Sequence, residues 1–109
     1  MPTTYKVLGQ SNPSATTATT LYTTPSATQT IVSTITVCNQ SASAGTYRIA
    51  VRIAGAALAA AQYVAYDVSL PGNATDTLTL GVTLGATDVI TVYASSANFS
   101  FSAFGSELS

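Results

Sequence analysis

The stretch Thr46-Tyr47-Arg48-Ile49-Ala50-Val51-Arg52-Ile53 decides the fold, because its side chains alternate in character for eight residues. The alternation places four large apolar side chains on one face: Tyr47, Ile49, Val51 and Ile53. The opposite face carries the two arginines. Alternation with a period of two indicates a half-buried β-strand, and β-branched and aromatic residues favour the same structure. We therefore predict a strand over residues 46–53.

Patterns of the same kind recur on both sides of this stretch, separated by turns rich in Gly, Pro, Asn and Ser. They predict further strands at residues 5–10, 20–23, 28–39, 62–69, 77–84, 89–95 and 99–104. Residues 54–61 are expected to form one helical turn that bridges two strands and is not a core helix. The chain is predicted to be all-β: an antiparallel β-sandwich, jelly-roll-like or immunoglobulin-like, with six to eight strands. Residues 1–109 are expected to form a single domain, with an extended loop or arm at residues 11–20.

Matching the apolar faces gives a predicted register. Strands 28–39 and 46–53 are expected to form a hairpin in which Val37 lies opposite Tyr47. Strands 46–53 and 62–69 are expected to pair with Arg48 opposite Asp67. In the same pairing, Ile49 lies opposite Tyr66.

The alternation also predicts which side chains lie together in two of the strands. In strand 28–39, Ile31 is expected to share a buried face with Ile35 and Val37. The phenylalanines of the last strand, Phe99, Phe101 and Phe104, are expected to be core residues, with a bulge near Ala103.

The charge of the chain is very low, with seven charged residues in 109 and no histidine. Soluble domains average about a quarter charged residues, and Ser and Thr occupy many of the remaining positions here. The charged residues are Lys6, Arg48, Arg52, Asp67, Asp76, Asp88 and Glu107. Three cations cannot form a basic stripe, so no nucleic-acid partner is expected. No membrane span is expected, and neither is a secretory signal, because no basic segment precedes an apolar one.

Acid–base catalysis relies on groups that this chain largely lacks, and the Ser-His-Asp arrangement cannot be built without histidine. Asp76 and Asp88 each follow an Ala-Thr pair and precede a strand, which favours turn-capping roles. A calcium site or a paired-carboxylate glycosidase is the alternative for these two residues. We expect no enzyme, no metal and no cofactor. The single cysteine, Cys38, is expected to be a small buried residue.

The candidate interface residues are Arg48, Arg52, Tyr63 and Asp67. The two arginines share the outer face of one strand, where Arg48 either forms a solvated ion pair with Asp67 or contributes to a contact between subunits. The tyrosines at positions 5, 22, 63 and 93 are either half-buried sheet residues or a platform for a sugar.

Several stretches resemble small virion structural proteins of tailed bacteriophages, especially cyanophages. They are residues 21–25 (LYTTP), 33–39 (STITVCN), 47–52 (YRIAVR), 65–67 (AYD), 78–81 (LTLG), 86–94 (ATDVITVYA) and 104–107 (FGSE). The resemblance covers nearly the whole chain but rests on strand and turn patterns. One departure is Arg52-Ile53-Ala54-Gly55, where the family tends to place proline after the arginine.

The resemblance implies a part of the virion, assembled in the host cytoplasm. The leading hypothesis is a capsid decoration (cement) protein that binds the major capsid protein or other virion proteins, as a homo-oligomer with a trimer favoured. A tail, baseplate or fibre component that contacts host glycans is the second hypothesis. A bacterial adhesin or pilus-type module is the third.

Overall fold

The computed structural model describes residues 2–109, and within this range the chain forms nine β-strands. They are β1 (Thr3–Ser11), β2 (Thr19–Thr23), β3 (Gln29–Asn39), β4 (Gly45–Arg52), β5 (Tyr63–Leu70), β6 (Thr75–Leu78), β7 (Val82–Leu84), β8 (Val89–Ala94) and β9 (Phe99–Leu108). Two single-turn 3-10 helices, Ile53–Gly55 and Ala60–Gln62, lie between β4 and β5. The prediction of an all-β chain is confirmed.

The strands form two antiparallel sheets. The five-stranded sheet has the order β1-β9-β3-β6, with β7 also paired to β3, and the four-stranded sheet has the order β2-β8-β4-β5. Since β6 and β7 pair with successive parts of β3, they act as one interrupted strand. The pairing is then nested: the first strand pairs with the last, the second with the last but one, and so on inward. The pairs are β1·β9, β2·β8, β3·β6/β7 and β4·β5, as in an antiparallel ribbon rolled into two sheets. This order is that of a jelly roll, whereas an immunoglobulin fold places its first strand beside its second.

The predicted single strand at residues 77–84 is interrupted. Gly81 has a φ of 63°, which an extended strand cannot accommodate, and the preceding Leu80 is 44% exposed. This interruption creates β6 and β7 from one predicted strand, so the count is nine instead of the predicted six to eight.

The core lies between the sheets and contains large side chains from both. Tyr47 packs edge-on against Phe101 with ring centroids 6.2 Å apart, and Phe99 is also fully buried. Phe104 is only half-buried, because β9 keeps its alternation without a break and turns this ring outward. The predicted bulge near Ala103 is therefore wrong for β9.

The extra residues lie in the neighbouring strands instead. Register shifts occur in β1 between Val7 and Gly9 and in β3 between Val32 and Thr34, both opposite the Ala103–Gly105 part of β9. The shift in β3 reverses its alternation, so Val32 is buried and Ile31 is 53% exposed. The prediction that Ile31 shares the buried face of Ile35 is wrong for this reason.

The predicted registers have different outcomes. Strands β3 and β4 lie in different sheets, so the hairpin between them is wrong. Strands β4 and β5 do pair, and Tyr47 lies opposite Val68, as the predicted register of Arg48 with Asp67 implies. The register then shifts, so that Ile49 lies opposite Ala65 instead of Tyr66.

Residues 12–18 connect β1 to β2 and lie within the segment predicted as a loop or arm. The side chain of Asn12 donates hydrogen bonds to the carbonyl oxygens of Ala97 and Phe99, and the backbone N–H of Thr16 donates to Ala94. These bonds tie the connection to both ends of the turn between β8 and β9.

Candidate functional site

A bulge in β5 aims two side chains at Arg48. Between the pairs Tyr47–Val68 and Ile49–Ala65, the single residue Arg48 of β4 faces two residues of β5. These two are Tyr66 and Asp67, and Asp67 has a φ of 49°. Short polar residues adopt this left-handed conformation more readily than others, so an aspartate suits the position. The bulge therefore brings a carboxylate and a phenol to the same guanidinium.

Arg48 is held on several sides at once. Its Nε donates to Oδ1 of Asp67 at 2.6 Å, and its Nη2 donates to Oδ2 at 3.3 Å. The guanidinium carbon lies 4.3 Å from the ring centroids of both Tyr66 and Tyr93. The hydrogen bond to Asp67 raises the pKa of Arg48 above its ordinary value, so this side chain stays charged. We call Arg48, Asp67, Tyr66 and Tyr93 the arginine–tyrosine cluster.

Tyr63 extends the cluster on its β5 side. The rings of Tyr63 and Tyr66 meet edge to face, with centroids 4.9 Å apart and planes at 82°. They form one wall of an open cleft of about 570 Å³, whose other residues are Leu58, Ala59 and Ala60. The cleft is thus mostly apolar, and its Tyr66 wall also contacts the guanidinium of the Arg48–Asp67 ion pair.

Arg52, the fourth candidate interface residue, lies apart from the cluster. Its Nε donates to the carbonyl oxygen of Ala56 at 2.7 Å, and its Nη2 donates to that of Gly55 at 2.9 Å. A third bond reaches the hydroxyl of Thr91. Arg52 therefore holds the connection after β4.

The structure brings together three of the four candidate interface residues. Arg48 and Asp67 are in direct contact, and Tyr63 joins them through Tyr66. The sequence alone predicts Tyr66 on the inner face, because an unbulged register carries it there. A positive φ at one aspartate leaves no clear pattern in the sequence.

The two aspartates considered for capping have different roles. Oδ1 and Oδ2 of Asp88 accept hydrogen bonds from the backbone N–H groups of Ala54 and Gly85, so its capping role is confirmed. Asp76 instead accepts a hydrogen bond from the hydroxyl of Tyr47, so the capping prediction is wrong there. In the part of the chain that the structure describes, no group of three His, Cys, Asp or Glu side chains is placed to hold a metal ion.

Lys6 and Glu107 form an ion pair at 2.9 Å, and the hydroxyl of Tyr22 also donates to Glu107. Burial, followed by the bond to Glu107, raises the pKa of Tyr22 to about 12. The bond from Tyr22, followed by that from Lys6, lowers the pKa of Glu107. All seven charged side chains of the sequence thus have partners among residues 2–109.

The outer face of the five-stranded sheet differs from that of the four-stranded sheet. One half of it is apolar: Tyr5, Val7, Ile31 and Phe104 lie on neighbouring strands, and the first three are exposed. Beside Tyr5 and Ile31 the face has a depression of about 280 Å³.

The other half of this outer face carries small side chains, mainly hydroxyls, such as those of Thr36, Ser100 and Ser102. Cys38 also lies there and is half-buried, so the prediction of a buried cysteine is wrong. The seven charged side chains all lie elsewhere in the described structure. We call the whole outer face of the five-stranded sheet, with its apolar half and its hydroxyl-bearing half, the uncharged face.

The chain matches no protein-family model, and comparison with curated proteins and with solved structures gave no match. Among residues 2–109, the structure contains no helix with the length and apolar character needed to cross a membrane.

Proposed function

We propose that this chain is a non-enzymatic structural protein of a bacteriophage virion, and within that class a capsid decoration (cement) protein. It binds the outer shell, through the major capsid protein or other virion proteins, and stabilises it. The resemblance of its strand and turn sequences to small virion proteins of tailed bacteriophages supports this proposal.

One observation carries the proposal: the charged groups serve the fold. Asp88 caps backbone N–H groups, Arg52 holds a connection, and Asp76 and Glu107 accept bonds from tyrosines. Broad surfaces are left with few ions, and such surfaces can be covered by neighbours without a large desolvation cost. A protein that works by buried contact area needs surfaces of this kind.

The arginine–tyrosine cluster is the centre of the contact with the shell in this proposal, and because Arg48 is already paired with Asp67, covering it buries no unpaired ion. Arg and Tyr are enriched at the energetic centres of interfaces, and ordering them before binding lowers the entropy cost. Here Asp67 and two rings already fix the guanidinium of Arg48. The jelly-roll architecture, which viral capsid domains share with lectins, agrees with the proposal as an analogy of fold.

The test is binding to purified phage shells that lack this protein. We expect saturable binding at symmetry-related positions of the shell, a high copy number per virion by quantitative mass spectrometry, and greater resistance of the shells to heat. Tyr66→Ser should weaken binding. Leu80→Ser, which removes an exposed apolar side chain outside the cluster, is the matched control and should not. Shells that bind neither the wild type nor the control contradict the proposal.

The second candidate is a tail, baseplate or fibre component that binds host glycans. The cleft beside Tyr63 and Tyr66 favours it, since apolar pockets of about 300–1,000 Å³ with a few polar groups are typical ligand sites. Immunogold labelling at a single vertex, together with retention on a host polysaccharide array, would support this candidate. Labelling over the whole shell without retention would exclude it.

A further inference from the structure

The uncharged face has the chemical character of a surface that pairs with its own copy. A hydroxyl both donates and accepts hydrogen bonds, so a face that carries Thr36, Ser100 and Ser102 is complementary to itself. No like charges would meet when two such faces approach each other. A surface built to recognise a different partner usually carries a charge pattern, and this face has none.

The apolar half of the face supplies the favourable energy. Tyr5 is 82% exposed and Ile31 is 53% exposed, and they line the same depression of about 280 Å³. An exposed ring next to a depression on one surface allows each copy to offer the ring to its partner across a two-fold axis. In such a contact, residue i of one copy meets residue j of the other and the reverse contact also forms.

The size of the face is sufficient for a stable contact. Strand β9 has ten residues, so the face is about 33 Å long, and its four strand positions make it about 19 Å wide. Pairing would then cover about 600 Å² on each copy, near the lower end of the range of about 1,200–2,000 Å² in total for specific interfaces.

We propose that two copies of this chain pair through the uncharged face, with the five-stranded sheets packed face to face around a two-fold axis. The arginine–tyrosine clusters then lie on the outer sides of the pair, free for another contact. The pair is a dimer, in contrast to the trimer that the family resemblance implies. The inference goes beyond the shell-binding role and is tested on the purified protein without shells, so failure of one is distinguishable from failure of the other.

The test compares two variants that place a charge on opposite sheets. Ile31→Glu alters the uncharged face, and Val64→Glu alters β5 at a residue of similar exposure, 49% against 53%. Sedimentation equilibrium should show a wild-type dimer, a Val64→Glu dimer, and a dissociation constant raised at least about tenfold in Ile31→Glu. Circular dichroism checks that both variants keep their β-structure.

Three results would overturn the inference: a wild-type monomer or trimer, an Ile31→Glu variant that dimerises as well as the wild type, or equal loss of dimer in both variants. The thiol of Cys38 gives a second readout that needs no substitution, because this residue lies on the uncharged face. Its reaction with a thiol reagent should slow as the wild-type concentration rises. A rate that does not depend on concentration in a dimeric wild type would place the interface elsewhere.

Discussion

The hydroxyl of Tyr47 donates a hydrogen bond to Oδ2 of Asp76 at 2.9 Å, and this bond joins the two sheets through the core. Tyr47 belongs to the four-stranded sheet and Asp76 to the five-stranded sheet. Tyr22 of β2 and Glu107 of β9 repeat the arrangement at another point of the sandwich. Both phenols are thus anchored by a carboxylate on the opposite layer.

Tyr47→Phe should lower the free energy of unfolding by about 1–3 kcal/mol, because it leaves a half-buried carboxylate without its donor. Urea denaturation measures the change. Asp76→Asn and the double variant complete a mutant cycle. Additive effects in this cycle would contradict a direct coupling between the two side chains.

The stability of the protein should fall as the pH rises above about 10, which is the ordinary pKa of a tyrosine. The pKa of Tyr22 is about 12 in the folded protein, so between these values the unfolded chain loses a proton that the folded chain keeps. The unfolded state then binds fewer protons, and the free energy of unfolding decreases with pH. Burial raises the pKa of Tyr47 in the same direction.

A series of urea denaturations in alkaline buffers measures this decrease. Tyr22→Phe should reduce the slope and leave the part that comes from Tyr47. An unchanged slope in Tyr22→Phe would show that Tyr22 does not carry the effect.

The dependence of stability on pH in acid should come from Glu107. Its pKa is lowered in the folded protein, so its contribution to stability is present above the ordinary glutamate value and is lost as the pH falls through the lowered value. Glu107→Gln removes this titration, and its free energy of unfolding should vary less with pH in acid. Circular dichroism follows the acid titration of the wild type and of Glu107→Gln. If the two titration curves superimpose, the assignment of the effect to Glu107 is refuted.

The bulge at Asp67 should be sensitive to the shape of the side chain there. Asp67→Asn keeps a short polar residue that tolerates the positive φ, and it loses only the charge of the pair with Arg48. Asp67→Val places a β-branched residue in the left-handed region and should cost about 1–2 kcal/mol more. Thermal and urea unfolding compare the two variants; equal stability would mean that the backbone at this bulge relaxes freely.

The sequence predicted the strands well, because a strand with one face in the core leaves a period-two pattern wherever it pairs. Residues 46–53 and β4 (Gly45–Arg52) agree almost residue for residue. Strand partners are harder to predict: matching the apolar faces joins β3 to β4, which are adjacent in the chain but lie in different sheets. Local pattern carries no information about which layer a strand enters.

The prediction of the candidate site is likewise right in one part and wrong in another. The sequence predicts that Arg48 and Asp67 lie together, and this is right because the register of β4 and β5 holds up to Tyr47 and Val68. The sequence does not predict Tyr66 in this site, because a single extra residue in β5 turns its ring outward. The predicted position of Ile31 is wrong for the same kind of reason, the shift between Val32 and Thr34 in β3. Each error comes from one extra residue in a strand, and such a bulge has no signature in the strand's composition.

The position of β9 has a consequence for the making of the protein. It lies between β1 and β3 in the five-stranded sheet, yet it follows every other strand in the chain. Until the ribosome has translated β9, β1 and β3 lack the strand that lies between them, and the two edges that face it are open to other chains. The emergence of β9 is therefore the event that allows this sheet to close, and folding of the sandwich follows translation of its last strand.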